Sequence, residues 1–414
     1  MGERTQTRLR RADVGRIAGF IDEIALVGAD ERGGWTRPAF TSVERSAHVV
    51  FARRAREIGA RIRIDAIGNT WAEFLGFGAP IVIGSHLDTV PQGGRFDGVA
   101  GVAAALEVAH ILKSADVQGI PLTAVAFAAE EGARFGAACL GSRVVTGALD
   151  PDALRSLMDV DGRSAWECAT AIGLRPDRGH TARVMPESVR AFFELHVEQA
   201  RSLEQRGGDL GVVGSIAGSV RLEIVFGGRP DHSGATPMNL RVDALAGASE
   251  LVLALEADAQ ANIPAVATVG RIDVSPGSVT TVPGEARLLV DLRAASAAGQ
   301  ARLARFAEDA VRRIADSRSL TASVQTLAAQ QPVSLDATLC NRLASALEKL
   351  NIPYASMSSG ASHDAAQMAS VAPTAMLFIP SRDGASHSPA EWSDPADIAR
   401  GADAIAAAIL SLDD

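Results

Sequence analysis

The sequence predicts an α/β protein, because short strand-like runs alternate with longer segments of helical periodicity. Amphipathic helices are predicted over Arg8–Ile24 and Val43–Gly59, and a helix rich in small residues over Val99–Leu112. The strand-like runs are 81–83, 122–129, 191–199 and 375–380. Residue types that bind metals end or follow these runs, so the sequence places its candidate chemistry at strand ends, where open α/β sheets bind ligands.

The middle of the chain carries a separate pattern of elements. A glycine-rich stretch at Gly211–Gly218 marks a candidate hinge, and the order strand, helix, strand, strand, helix, strand follows it. A small four-stranded sheet covered by two helices fits this order. Because the candidate chemistry lies on both sides of this pattern, we predict a discontinuous domain at 1–213 and 327–414 and an inserted domain at 214–326.

Composition limits the class of protein. The chain has 414 residues, of which 47% are hydrophobic and 21% charged, so it is long enough for two folded domains. A formal net charge of −9 argues against general nucleic-acid binding and against an anionic membrane surface, and no apolar run reaches 18 residues. The N-terminus has no apolar core before Val14, and Cys139, Cys168 and Cys340 are widely separated. We therefore expect a cytoplasmic protein with reduced thiols.

The most informative segment runs from Gly84 to Gly98. It places His86, Asp88 and Asp97 directly after the apolar run 81–83. An imidazole and carboxylates held together can bind a divalent metal ion, and the glycines between them permit the backbone conformations that would return Asp97 to His86. Since paired-cysteine spacing is absent, any metal must be held by histidines and carboxylates.

Three other segments supply further candidate ligands. Glu130 and Glu131 end the run 122–129, and we expect a turn at Gly132 to aim both carboxylates inward. His196 lies on the run 191–199, and His387 follows the run 375–380. Distant segments of the chain thus offer the residue types of one metal centre.

Seven motifs carry a resemblance to a known family: GSHLDTVPQGGRFDG, EEGARFG, ELHVEQ, GRPDHSGATPM, VPG followed by DLR, SGASHDA and SHSPAEW. In this order they resemble metallopeptidase family M20, and within it the amidase, hydantoinase and carbamoylase branch. The resemblance extends from about Ile17 to Ala407. It implies a mixed-sheet dimetal hydrolase domain with an inserted, smaller α+β domain that serves as a lid and dimerises, and therefore a homodimer.

The resemblance also implies a ligand set for two divalent cations. Asp97 would bridge the two ions, His86 and His196 would complete one site, and Glu131 and His387 would complete the other. Zinc, manganese, cobalt and nickel all accept such ligands, so the ligand types do not choose among them. The alternative is that these residues are hydrogen-bonded polar groups at strand ends.

Catalytic roles are implied for three residues. Glu130 matches the general base, Asp88 the carboxylate that orients a ligand imidazole, and His232 the histidine that stabilises the oxyanion. The alternatives are a structural acid for Glu130, a loop cap for Asp88 and an ordinary loop histidine for His232.

Substrate contacts are implied for four residues: Gln199, Thr280, Arg293 and His363. A guanidinium at Arg293 suits a substrate carboxylate, with a surface ion pair as the alternative, and Gln199 suits a ureido group. Gly277 and Thr280 occupy places where the branch commonly has asparagines. A threonine hydroxyl reaches less far than an amide and has one donor instead of two, so the substrate stays open.

The resemblance implies hydrolysis of a linear C–N bond in an N-carbamoyl or ureido acid that carries a carboxylate. The products would be the amine, carbon dioxide and ammonia. N-carbamoyl-L-amino acids are the first choice, followed by allantoate, ureidoglycolate and 3-ureidopropionate. Two alternatives remain, an aminoacylase or dipeptidase of the same family and a binding protein that has lost catalysis. Gln199 disfavours the first, and retention of the five ligands with Glu130 disfavours the second.

Overall fold

The computed structural model describes residues 10–74, 76, 78–115 and 119–413, which form two compact units. The first unit comprises the chain up to Gly214 together with Leu335–Met357 and the chain from Ala361 onward. The second unit comprises Ser215–Ser334 and Ser358–Gly360. The observed boundary lies beyond the predicted residue 327, because that position falls inside a strand that continues to Gln330.

The helices are α1 (Val14–Ala25), α2 (Ser42–Ile58), α3 (Val99–Ser114), α4 (Leu140–Thr146), α5 (Ala165–Ala171), α6 (Ser202–Gln205), α7 (Ala244–Ala261), α8 (Ala297–Arg318), α9 (Ala337–Leu350), α10 (Asp364–Met368) and α11 (Pro395–Leu410). The strands are β1 (Arg61–Ile64), β2 (Thr70–Phe74), β3 (Ile81–His86), β4 (Leu122–Phe127), β5 (Ala191–Val197), β6 (Leu210–Ile216), β7 (Gly218–Gly227), β8 (Asp231–His232), β9 (Val266–Ser275), β10 (Thr281–Val282), β11 (Glu285–Ala294), β12 (Thr321–Gln330), β13 (Val333–Ser334), β14 (Tyr354–Ser359) and β15 (Thr374–Ile379).

The first unit is built on a mixed sheet in the order β1-β2-β4-β3-β5-β15-β6, with β14 also paired to β6. Strand β3 runs parallel to β4 and β5, and β15 runs parallel to β5, whereas β1, β2 and β6 pair antiparallel to their neighbours. This confirms the predicted mixed α/β fold. The four parallel strands β4, β3, β5 and β15 end at one edge of the sheet, which is where the candidate chemistry lies.

The helices of the first unit pack on this sheet through apolar surfaces. Helix α3 is buried along most of its length, which its small residues permit, and it contacts α1, α11 and β3. Helix α1 begins after Asp13, whose carboxylate accepts the N–H of Arg16. The helix was predicted from Arg8; residues 8 and 9 lie outside the described residues, and residues 10–13 are not helical.

The second unit contains an antiparallel sheet in the order β12-β7-β11-β9, with α7 and α8 packed on one face. Its strands and helices follow the order that the sequence predicts. Phe226 and Leu288 from the sheet and Leu251 and Leu303 from the helices are almost fully buried in a core of their own. A separate two-stranded pair, β8 with β10, carries His232.

Within the described ranges, no helix combines the length and the apolar character needed to cross a bilayer.

Gly84 should be required by the close approach of β3 to β4. A Cβ at this position would overlap the carbonyl oxygen of Val125, whereas a Cβ at Gly270 on β9 would meet no atom within 4 Å. We expect Gly84→Ala to lower the free energy of unfolding by about 1–3 kcal/mol through overpacking. Gly270→Ala is the matched control and should change it by less than about 0.5 kcal/mol. Urea unfolding measures both, and equal midpoints for the two variants would contradict this reading of the packing.

Candidate metal centre and active site

The carboxyl edge of the parallel strands brings the predicted ligands together. His86 is the last residue of β3, His196 lies near the end of β5, and Glu131 and His387 lie in the segments that follow β4 and β15. Asp97 reaches the same place from the loop between β3 and α3. The topology explains the convergence, since parallel neighbours present their carboxyl ends to the same edge.

The first group of potential ligands consists of His86, His196 and Asp97. The Nε2 atoms of His86 and His196 lie 3.4 and 3.2 Å from Asp97 Oδ1, and all three side chains are buried. Burial alone would raise the pKa of Asp97, but the imidazoles of His196 and His86 hold that pKa well below its usual range. Asp97 is therefore ionised and oriented.

The second group consists of Asp97, Glu131 and His387. His387 Nε2 lies 3.6 Å from Asp97 Oδ2 and 3.4 Å from Glu131 Oε1. Asp97 thus offers one carboxylate oxygen to each group, the arrangement required of a bridging ligand. The side chain of His387 is half exposed, which makes the second group the more accessible of the two.

The donor atoms fit a divalent cation, and the histidine tautomers give the clearest test. His86 Nδ1 lies 3.1 Å from the carbonyl oxygen of Asp88, and His196 Nδ1 lies 3.0 Å from that of Val197. Because a carbonyl only accepts hydrogen bonds, each Nδ1 carries a proton. Nε2, which faces Asp97, is therefore the atom whose lone pair a metal ion would bind when the ring is neutral. Metal-binding histidines are commonly oriented by such contacts.

Charge at the site also fits a cation. Among the described residues, the ion-pair partners of Asp97 are imidazoles rather than lysine or arginine. Burial, together with the charge of Asp97, raises the pKa of Glu131 to about 8. A divalent cation would offset this crowding of carboxylates and favour their ionised forms.

Asp88 holds the two glutamates in place. Its carboxylate accepts the backbone N–H of Glu130 at 3.0 Å and that of Glu131 at 2.9 Å. Its Oδ1 also lies 3.5 Å from His86 Nδ1, but the shorter contact to that nitrogen comes from the Asp88 carbonyl. Asp88 therefore positions the Glu130–Glu131 backbone in addition to facing the imidazole.

Glu130 points one oxygen at the candidate metal centre and the other at a thiol. Its Oε2 lies 3.8 Å from His86 Nε2, and its Oε1 accepts a hydrogen bond from Cys139 Sγ at 3.0 Å. Burial raises the pKa of Glu130 well above the usual range, and it raises that of the Cys139 thiol, which therefore stays protonated as a donor. The sequence alone indicates only that Cys139 is a reduced cysteine, since nothing local pairs it with Glu130.

The backbone around the two glutamates has an unusual conformation before the pair and a turn after it. Ala129, directly before the pair, adopts a left-handed conformation with φ of 56°, whereas Gly132 does not have a positive φ. The predicted turn at Gly132 is present, since the N–H of Gly136 donates to the Gly132 carbonyl at 2.8 Å. The left-handed conformation at Ala129 was not predicted, because glycine is the usual residue for such conformations. The N–H bonds to Asp88 hold the strained alanine conformation in place.

Gln199 and His363 lie beside the two ligand groups. Gln199 Nε2 donates to Asp97 Oδ2 at 2.8 Å, and its backbone is left-handed with φ of 58°. The ring of His363 packs against that of His196 with centroids 4.5 Å apart. Both residues were predicted as substrate contacts, and the structure places both next to the ligands of the first group.

Two acids that the sequence did not single out complete the surroundings of the centre. Glu194 accepts the Ser85 hydroxyl at 2.6 Å and the N–H of Ala365 at 2.8 Å. Glu391 contacts the loop that carries Asp97. Glu194 belongs to the motif ELHVEQ and Glu391 to the motif SHSPAEW. Membership of these motifs is the sequence signal that could have indicated the two acids.

The other three predicted site residues belong to the second unit. His232 Nδ1 accepts the N–H groups of Gly234 and Ala235 at 3.0 and 3.2 Å, so its proton lies on Nε2 when the ring is neutral. The carbonyl of Thr280 accepts the N–H of Ser233 at 3.0 Å, which places Thr280 next to the His232 loop.

Arg293, at the end of β11, is held by two partners. Its Nε donates to Asp291 Oδ1 and an NH1 hydrogen to the carbonyl of Gly360, both at 2.8 Å. These contacts leave part of its N–H donors uncommitted. Gly277 has φ of 66°, a conformation that glycine and asparagine both tolerate.

The fold and the ligand groups define a metal-dependent hydrolase. The chain belongs to peptidase family M20/M25/M40, whose family model matches residues 82–411. It is 37% identical over 387 residues to the N-carbamoyl-L-amino acid amidohydrolase of Geobacillus stearothermophilus, covering 92% of this chain and 94% of that protein. It is 33% identical to the allantoate amidohydrolase of Escherichia coli strain K12, covering 94% and 95%.

A solved structure agrees with these relatives. The crystal structure of an amidase of the hydantoinase/carbamoylase family from Burkholderia multivorans superimposes with a TM-score of 0.89 at 35% identity. The match covers 97% of this chain and 98% of that chain. The predicted family and branch are thereby confirmed.

Asp97→Ala should remove the carboxylate that both ligand groups share. We expect the affinity for divalent cations to fall by more than about 100-fold, beyond the loss typical of a residue that only supports a ligand. Metal content after zinc loading and desalting measures this. Glu256→Gln, which changes an exposed carboxylate on α7, is the control and should load as the unmodified protein does. Normal metal content in Asp97→Ala would exclude a shared ligand.

Proposed function

We propose that this protein hydrolyses the linear C–N bond of an N-carbamoyl amino acid, with release of the amino acid, carbon dioxide and ammonia. The observation that carries the proposal is the convergence of His86, Asp97, Glu131, His196 and His387 beside Glu130 at one sheet edge. The names of the relatives in Geobacillus stearothermophilus and Escherichia coli, both amidohydrolases of carbamoyl or ureido compounds, support the same reaction class.

The proposed cofactor is a pair of divalent cations, of zinc, manganese, cobalt or nickel. His86 and His196 would hold one ion, Glu131 and His387 the other, and Asp97 would contact both. Such ions polarise a carbonyl group and acidify a water molecule. The first group is buried, which suits a site that retains its ions. His387 in the second group is half exposed, which suits a site that admits a small molecule.

Glu130 would move the proton in this reaction. Its Oε2 faces the candidate centre and would accept a proton from the attacking water, then deliver it to the leaving nitrogen. Cys139 holds Oε1, so the carboxylate presents a fixed oxygen. Burial raises the pKa of Glu130, so its carboxylate would be a stronger base than an exposed glutamate when the neighbouring cations keep it ionised.

His232 would donate Nε2–H to the oxygen on which negative charge develops. The backbone N–H groups at Nδ1 select the tautomer that such a donor needs. Arg293 would bind the substrate carboxylate with the N–H groups that Asp291 and Gly360 leave free. Gln199, Thr280 and His363 would contact the carbamoyl end or the side chain of the substrate.

Assembly and location complete the proposal. We propose that the second unit acts as the lid and the dimerisation domain of a homodimer, because β9 and β12 are largely exposed edge strands that a second copy could pair with. A cytoplasmic location fits the three cysteines, none of which is in a disulfide. No feature points to nucleic acid as a partner.

Allantoate and related ureido acids are the second candidate substrates. Thr280 stands where the resembling branch commonly has asparagine, and a hydroxyl changes the hydrogen bonds offered to the substrate. Allantoate differs from an N-carbamoyl amino acid in carrying a second ureido group, so the two classes separate in a direct assay.

The test is ammonia release from a panel of N-carbamoyl-L-amino acids, allantoate, ureidoglycolate, 3-ureidopropionate, N-acetyl amino acids and dipeptides. Dipeptide and N-acetyl cleavage is followed by the amine released. We expect turnover of N-carbamoyl-L-amino acids, its loss with chelator and its return with added metal. Replacing the substrate carboxylate by a carboxamide should mainly raise KM if Arg293 binds it. No turnover of any compound after metal reloading would favour the binding-protein alternative.

Glu130→Gln should separate metal binding from catalysis. The amide keeps the size of the side chain and the acceptor for Cys139, but it cannot take up a proton, so we expect kcat to fall by at least about 100-fold. Metal content should match that of the unmodified protein. Steady-state kinetics with elemental analysis measures both, and a variant with normal kcat would exclude Glu130 as the base.

A further inference from the structure

Glu391 is a buried acid whose contacts are directed at the loop of the candidate metal centre. Its side chain follows His387 by four residues and is only 3% exposed. Glu391 Oε1 accepts the backbone N–H groups of Phe96 and Asp97 at 2.7 and 2.9 Å. Two donors on one carboxylate oxygen fix both the side chain and the peptide units that it contacts.

The hydroxyl of Ser386 lies between the carboxylates of Glu391 and Asp97. The hydroxyl of Ser386 lies 3.0 Å from Asp97 Oδ2 and 3.4 Å from Glu391 Oε2. It can donate to one of these oxygens at a time, and the shorter distance favours Asp97. Two residues of the segment Ser386–Glu391 therefore contact Asp97: Glu391 accepts its backbone N–H, and Ser386 donates to its carboxylate. The same segment also carries His387.

The backbone on the other side is shaped to receive this carboxylate. A Cβ at Gly94 would overlap the carboxylate of Glu391, so only glycine allows the acid to lie against the chain at this point. This observation is independent of the hydrogen bonds. It shows that the Glu391 side chain packs directly against the backbone of the loop before Asp97.

We propose that Glu391 is a positioning residue which fixes Asp97, the residue common to both ligand groups, and locks its loop to the segment that carries His387. Glu391 acts through hydrogen bonds to the backbone of Phe96 and Asp97 rather than as a ligand. The inference rests on the proposed metal centre, and it adds to that centre a residue outside the set of ligands and catalytic groups.

Three variants test the role: Glu391→Ala, Glu391→Gln and Gly94→Ala, with Glu256→Gln as the exposed control. The readout is the dissociation constant for zinc alone, from competition with a chromophoric chelator, on protein whose circular dichroism matches that of the unmodified chain. Substrate is not needed, so unmodified protein that binds zinc without turning over any substrate would remove the proposed reaction and leave this test valid.

Glu391→Ala should weaken zinc binding by about 10–100-fold, the loss typical when a residue that supports a ligand is removed. Glu391→Gln should stay within about threefold, because its amide oxygen still accepts both N–H bonds, each of which is worth only modest net free energy. Gly94→Ala should resemble Glu391→Ala, since the methyl group displaces the carboxylate.

Two results would overturn the proposal. Unchanged zinc affinity in Glu391→Ala would show that the acid does not position Asp97. Loss in Glu391→Gln as large as in Glu391→Ala would show that the negative charge, not the pair of backbone hydrogen bonds, is what matters. If Glu391→Ala does not fold, the test is made with folded Gly94→Ala. Zinc affinity of Gly94→Ala equal to that of the unmodified chain would then refute the role.

Discussion

The two oxygens of Asp97 serve two different groups of side chains, and the rest of the site depends on this division. Oδ1 faces the imidazoles of His86 and His196, and Oδ2 faces His387. One carboxylate can serve both sides only if its loop is held rigidly, since a small rotation would take one oxygen out of range. The glycines around it and the bonds to Glu391 meet that requirement.

Two buried carboxylates at this edge, those of Asp88 and Glu391, are stabilised by backbone N–H groups. Asp88 accepts two of them, and Glu391 accepts two more. An ionised carboxylate away from water needs such donors or a cation, because desolvation disfavours the charged form. Donors from the main chain hold these two acids close to the ligand groups, and among the described residues those groups contain no lysine or arginine.

Backbone hydrogen bonds determine which nitrogen of each histidine ring carries the proton. Carbonyl oxygens face Nδ1 of His86 and His196, which leaves the lone pair of each Nε2 available to a metal ion. Amide N–H groups face Nδ1 of His232, which places the proton of the neutral ring on Nε2. When the rings are neutral, Nε2 therefore has a lone pair in His86 and His196 and an N–H in His232, and only the partner of Nδ1 differs.

The sequence by itself determined the fold class, the order of elements in the inserted unit and the residue types at the strand ends, because periodicity and turn residues are local properties. It also identified each member of the two ligand groups through motifs. Only the tertiary structure decided which oxygen of Asp97 faces which histidine, that Ala129 is left-handed, and that Cys139 and Glu391 support the site. Those facts depend on contacts between segments up to about 300 residues apart, such as that of Asp97 with Glu391, and no local pattern records them.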